Sequence, residues 1–239
     1  MVMNKSETFF TEEEKKSVES AIKEAESRTS GEIVTIVVDK SDGYRDIDVI
    51  AGLILSAMIS VYPAEIIYAA SESILRKLIP SMSWYSEIPD GARFAAGLSA
   101  FIALTILLHF PVKFIFVKFP SLKRFIVSIK RMDAEVRERA LRGFHEHGLA
   151  DTKDATGVLF LISLLEKRVH VLADHGIYTK IKQETLDKYA DSIGKGIASG
   201  KGSEALCNAI KDAGKELEKH FPRKKDDKNE LSDRIVTEK

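Results

Sequence analysis

VIAGLILSAMISVYPAEIIYAA, Val49–Ala70, and FAAGLSAFIALTILLHF, Phe94–Phe110, are the two stretches around which the rest of this chain has to be arranged. The first carries a single interior acid, Glu65, close to its end. The second has no charge and extends to Val117 if Lys113 draws its ammonium out to an interface. The hydrocarbon core of a bilayer takes roughly 20 residues of helix, so each run is long enough to cross it. Two buried helices of a soluble core are the alternative, but apolar runs of this length are unusual there. The expectation is a transmembrane hairpin over 47–118, with the polar connection Ser71–Arg93 (Arg76, Lys77, Pro80, Trp84, Tyr85, Pro89) between its arms.

Working outward, Thr11-Glu12-Glu13-Glu14 is a capping box with acids in the first helical turn, and Val18, Ala21, Ile22 and Ala25 follow at helical spacing. The helix should stop before Ser30-Gly31. Glu32–Asp39, EIVTIVVD, is a β-branched run and reads as a buried strand closed by the turn Ser41-Asp42-Gly43. A helix and a strand make no domain, so residues 1–46 need partners from beyond the hairpin.

After the second run, Lys118, Lys123, Arg124, Lys130 and Arg131 alternate with Phe119, Leu122, Phe125, Ile126 and Ile129. Residues 119–131 are therefore expected to lie at a membrane interface with their bases toward headgroups, Trp84 anchoring the other side. Aromatic and basic residues together are also a nucleic-acid pattern, but 36 basic and 36 acidic residues leave a net charge of zero and no global field to attract a polyanion. By the positive-inside rule, the bases on the C-terminal flank, with Lys40 and Arg45, outweigh Arg76, Lys77 and Arg93. Both termini are thus expected in the cytoplasm.

Residues 132–221 complete the soluble part. Met132–His147 is an amphipathic helix stopped by Gly148; GVLFLISLL, Gly157–Leu165, and VHVLA, Val169–Ala173, read as antiparallel strands, the first in the sheet centre. Glu166-Lys167-Arg168 reads as their solvated tip. Two helices follow, from Gln183 and from Ser203, and the charged segment 222–239 is expected to be disordered.

The capped helix, SGEIVTIVVD, RALRGFHEHGL, TKDATGVLFLISLLEKRVHVLADHGI and the two closing helices together resemble the TPM domain family. The closer likeness is to a bacterial membrane subgroup with a hairpin placed inside the domain, which implies the inner membrane of a bacterial cell as the location. That resemblance implies an α/β fold, a three-layer sandwich with a small mixed sheet, interrupted here by the two-helix hairpin. It also implies a role among proteins that repair, assemble or modulate membrane complexes, with acid-phosphatase activity proposed for plant relatives. Ala155-Thr156-Gly157 stands where many relatives have Asp-Asn-Gly, and Ala173-Asp174-His175-Gly176-Ile177 where many have Gly-Tyr-Gly-Leu-Glu.

Ligands gather at strand ends in such sheets, which makes Asp39, Asp154 and Asp174 candidate ligands for a divalent cation such as calcium, with His175, Glu32, Glu166 and Arg168 further out. For Asp174-His175 the simpler reading is an Asx-type turn. Arg139, Arg142, His145 and His147 crowd one helix end; the simpler reading is that they satisfy the dipole and the last carbonyls, the alternative that they meet an anion. Cys207, the single cysteine, sits at an apolar helix position and reads as core. No P-loop, dinucleotide glycine fingerprint, HExxH or GxSxG pattern occurs. The leading expectation is a membrane-anchored, non-catalytic accessory module whose partners are the bilayer and a membrane protein complex. The alternative is a metal-assisted phosphatase using the three aspartates.

Overall fold

A computed structural model of the chain describes residues 4–78, 90–224 and 229–238. Two units emerge: Met1–Gly43 with Ser128–Lys239, and Tyr44–Val127.

In the first unit, Asn4 opens the short helix α1 (Lys5–Phe9) and the Thr11 capping box opens α2 (Glu12–Glu26). Strand β1 (Glu32–Val38) is buried along its whole length. After the second unit the chain resumes with α5 (Ile129–Glu146), capped by Ser128, then β2 (Gly157–Ser163) and β3 (Arg168–Ala173). The one-turn helix α6 (His175–Tyr178), α7 (Gln183–Ala198) and α8 (Gly202–His220) follow, and a last strand β4 (Val236–Glu238) ends the described chain.

The sheet order is β3-β2-β1-β4. β1 runs parallel to β2, Glu32 opposite Gly157 and Val38 opposite Ser163, while β2 and β3 form the expected antiparallel pair. Side chains of β1 and β2 alternate between two apolar layers, because both faces of the sheet are covered. Ile33, Val37, Val158, Phe160 and Ile162 face α2, α7 and α8. Val34, Ile36, Leu159 and Leu161 face α5 through Val136, Ala140 and Phe144. This is the expected α/β sandwich with a mixed sheet.

The C-terminal segment departs from the expected disorder. β4 pairs in parallel with the outer edge of β1, Ile36 opposite Val236 and Val38 opposite Glu238. The Glu32 carboxylate accepts the backbone N–H groups of Glu230 (3.1 Å) and Leu231 (3.3 Å), and Leu231 packs on the α5-side core. Charge-rich composition hid a β-branched stretch, Ile235-Val236-Thr237, that an open strand edge captures.

The second unit holds α3 (Arg45–Leu78) and α4 (Asp90–Lys118). Both helices run further into the connection than expected, so Arg76 and Lys77 belong to α3 and Arg93 to α4; Trp84 and Tyr85 lie outside the described residues. The arms meet along a small-residue seam. Gly52, Ser56, Ser60 and Ala64 recur every fourth residue and are buried, and a Cβ on Gly52 would lie 3.3 Å from the Lys113 backbone. Near the other end Gly97 seats against Tyr68, where a Cβ would come within 2.9 Å of the ring-bearing carbon. The Ser56 and Ser60 hydroxyls donate to carbonyls one turn back, at 2.5 and 2.7 Å, so the seam buries no free hydroxyl at these positions.

A short 3-10 helix, Pro120–Phe125, follows α4. There Lys123 turns inward, contrary to the expectation that it faces lipid headgroups. Its ammonium lies 2.8 and 2.9 Å from the two carboxylate oxygens of Asp48, both side chains 6% exposed. An acid in the first turn of α3 thus clamps the segment after α4.

Removing one partner of this pair strands a buried charge, which costs about 3–5 kcal/mol, while removing both with apolar residues costs far less. Lys123→Met is therefore expected to lower the unfolding midpoint of the detergent-solubilised chain, and Asp48→Leu added to it to restore most of the loss. In the first unit, a Cβ on Gly214 would meet that of Ala25 at 2.6 Å. Gly214→Val should separate α8 from α2 and cost about 1–3 kcal/mol in the same thermal melt.

Candidate functional site

Three regions carry the residues from which function has to be built: the outer surface of the helical unit and the two ends of the four-stranded sheet.

The helical unit is apolar on the outside, and its buried side is mostly small or polar, with Val112 and Phe116 as the large apolar residues of α4 that turn inward. Leu53, Met58, Val61, Ile66, Ile106, Leu107 and Phe110 are half to two-thirds exposed. Only 28% of the apolar window of α3 and 17% of that of α4 is buried. In a soluble protein the distribution runs the other way. Glu65 is exposed on α3, two residues after Pro63, and borders a shallow groove with Tyr68, Phe94 and Phe101. Lys118 and Arg124 each stack against the neighbouring phenylalanine, Phe119 and Phe125, and Phe125 is 81% exposed. The basic group expected to form one interface is divided. Lys123 is buried against Asp48, whereas Lys130 and Arg131 lie in the first turn of α5, where Arg131 pairs with Glu135 at 3.7 Å.

The expected cation ligands do not converge. Asp39 follows the C-terminal end of β1, whereas Asp154 precedes β2 and Asp174 follows β3, both at the opposite end of the sheet. Seven residues of strand separate those ends by about 20 Å. Each carboxylate has local work. Asp39 accepts the Ser6 N–H at 2.6 Å, Asp154 pairs with Lys224 at 2.7 Å, and Asp174 caps α6 by accepting the His175 N–H at 2.6 Å. The Asx-type reading of Asp174 describes its position; the three-aspartate set is corrected.

Glu166 is likewise not a solvated tip. It is 1% exposed and accepts the Ser41 N–H at 3.2 Å and the Ser163 hydroxyl, tying the turn between β2 and β3 to the residue after β1. A carboxylate with converging donors has reason to be inside.

Among the described residues, one group of three potential ligands does come together: Glu146, His147 and Glu238. It was invisible in sequence because Glu238 arrives on β4. Arg139 fills its centre, bonding Glu146 at 3.1 Å and the Glu238 carboxylate, while His147 Nε2 lies 3.0 Å from Glu238. The arginine and histidines expected to meet an anion do so in part, and the anion is the chain's own tail. Burial pushes the His147 ring below its ordinary value, with the Glu146 charge opposing. Burial raises the Cys207 thiol, the reverse of what a nucleophile needs.

At the N-terminal end of β1, Glu26 accepts the Ile33 N–H at 2.8 Å, and its other oxygen is buried on the side of Asp233. Burial, reinforced by the charges of Glu32 and Asp233, pushes its carboxyl from 4.5 up to about 9, against the Ile33 hydrogen bond. The folded chain thus holds a proton that the unfolded chain releases in the ordinary carboxylate range. The stabilisation is complete below that range and is lost as pH rises toward about 9. Glu26→Gln keeps the acceptor for Ile33 and removes the titration. Its melting temperature should match that of the parent near pH 4 and exceed it increasingly from pH 6 to 8, measured by thermal melts across that range.

The family comparison enters on this geometry. Residues 121–216 match the family model described as the TPM domain. No curated protein matches the chain. Among solved structures, the NMR structure of BA42 protein from the psychrophilic bacterium Bizionia argentinensis aligns with a TM-score of 0.52 at 21% sequence identity, over 96% of this chain and 95% of that one. At that identity the likeness concerns the fold. The sandwich of α5, the mixed sheet and the helices α7 and α8, together with the match over 121–216, shows that this chain carries a TPM domain.

Proposed function

We propose that this protein is anchored in a bilayer by α3 and α4 and holds its TPM domain at the cytoplasmic face of a bacterial inner membrane. There the domain acts as a non-catalytic module in the assembly, repair or modulation of a membrane protein complex. The observation that carries the anchoring is the inverted helical unit: an apolar perimeter around a seam of glycine, serine and alanine. Lipid is as apolar as leucine, so helices in a bilayer associate through close backbone approach and buried hydroxyls rather than through apolar side chains. Two proline-containing helices of 34 and 29 residues also exceed what a hydrophobic core of roughly 30 Å requires. Lys118, Arg124 and the exposed Phe125 suit the headgroup region.

The non-catalytic part of the reading rests on the separation of Asp39 from Asp154 and Asp174, and on the commitment of Glu32, Glu166 and Asp39 to backbone donors. The bases flanking the two helices support the cytoplasmic orientation, with Lys123 removed from the count by its pairing with Asp48.

The full-length chain is expected to stay in the membrane pellet through alkaline carbonate extraction. On a Cys207→Ser background, an impermeant maleimide applied to intact spheroplasts should label Ser86→Cys and spare Lys40→Cys. The opposite pattern reverses the orientation, and extraction into the supernatant removes the anchor. Purification in mild detergent should bring down a partner membrane protein in fixed stoichiometry; a chain that elutes alone from its native membrane contradicts the accessory role.

A further inference from the structure

The soluble unit contains a cavity of about 750 Å³ that none of the reading above uses. It lies among α1, the turn between β2 and β3, and α7, within the size range of small-molecule sites. Phe9, Leu164, Val169 and Ile197 line it; they pack on the core but stay partly exposed, so the cavity has an apolar wall. Every charged residue that lines it is basic: Lys5, Lys167 and Arg168. Arg168 is engaged by Asp133 at 2.8 Å, whereas Lys5 and Lys167 are exposed and have no acidic partner among the described residues.

A second observation points the same way. Gly194 lines this cavity in the middle of α7, where glycine costs about 1 kcal/mol relative to alanine. Gly196 and Gly214 repay that cost with close packing, a Cβ there meeting Ala205 at 2.2 Å and Ala25 at 2.6 Å. At Gly194 a Cβ would meet nothing within 4 Å. Packing of the protein on itself therefore gives no reason for the missing side chain. An occupant of the cavity does.

We propose that this cavity binds a long-chain fatty acid, its acyl chain along the apolar wall and its carboxylate on Lys167 and Lys5. The chemistry of the lining selects for it. An apolar wall gains from every buried methylene, and unpartnered ammonium groups favour a single anionic head. The cavity sits at the sheet end where Ser41, bonded to Glu166, leads by a few residues into α3. The bilayer in which α3 and α4 are proposed to lie is a ready source of fatty acid, and to that extent the assignment rests on the proposed anchoring.

The test uses the full-length chain in phosphatidylcholine nanodiscs, labelled with a diazirine analogue of palmitate and mapped by peptide mass spectrometry. Labelling is expected on Phe9, the 164–169 segment and Ile197, with competition by unlabelled palmitate. Gly194→Leu, which has room to fold, should abolish it, and Gly194→Ala should weaken it. Lys167→Glu should reduce it about tenfold, the loss of one charge-assisted hydrogen bond. Labelling confined to α3 and α4 overturns the proposal, as does labelling of the cavity indifferent to Gly194→Leu. Competition by inorganic phosphate instead makes this a soluble-anion site, and competition by phosphatidylglycerol a phospholipid site; either overturns the fatty-acid assignment. Failure of the hairpin to anchor the chain shows separately, as a chain that does not enter the nanodisc, and the same labelling is then read on the free protein.

Discussion

The parallel pairing of β1 with β2 is the constraint on which the rest of the sheet-containing unit depends. Glu32–Val38 and Gly157–Ser163 lie at the centre of the sheet, and each contributes side chains to both core layers. Parallel strands cannot be joined by a tight turn and need a long crossover. In this chain the crossover includes the whole of α3 and α4 before it returns through α5. Loop-closure entropy grows only logarithmically with length, so a crossover of this size is tolerated once the strands have a register to find. The alternation of side chains sets that register, since a slip by one residue would exchange the layer facing α5 for the layer facing α2 and α8.

Around this centre the acidic side chains serve the backbone. Glu166 joins the end of β1 to the turn after β2; Glu32 holds the returning tail; Asp39 and Asp174 take N–H groups at the starts of α1 and α6. A carboxylate buried at a strand end is stable when donors converge on it, and these donors come from peptide groups that the fold leaves unsatisfied. The acids therefore look like a ligand set in one dimension and act as joints in three. Asp48 and Lys123 show the same principle in the helical unit, where mutual pairing makes it possible to bury both.

The two units differ in the physics that holds them together. The sheet and its helices exclude water from large β-branched and aromatic side chains. α3 and α4 approach through Gly52, Ser56, Ser60, Ala64 and Gly97 and leave most of their bulk outside, Val112 and Phe116 excepted. That contrast supports the proposal that places one unit in lipid and the other in water.

Much of this was legible in the chain alone, because it is local. The Thr11 capping box, the β-branched run at Glu32, the antiparallel strands after Gly157 and the two long apolar runs each announce themselves within a few turns or pleats, since hydrophobic period and cap chemistry are properties of neighbouring residues. What the tertiary structure decided is long-range. Glu166 is buried because Ser41 and Ser163 are brought to it. Lys123 is buried because Asp48, on the far side of the hairpin in sequence, meets it. The tail is a strand because β1 has an open edge, and the aspartates part company because the sheet register puts Asp39 at one end and Asp174 at the other. Composition and period record what a residue prefers. Which distant partner satisfies that preference is settled only when the chain closes on itself.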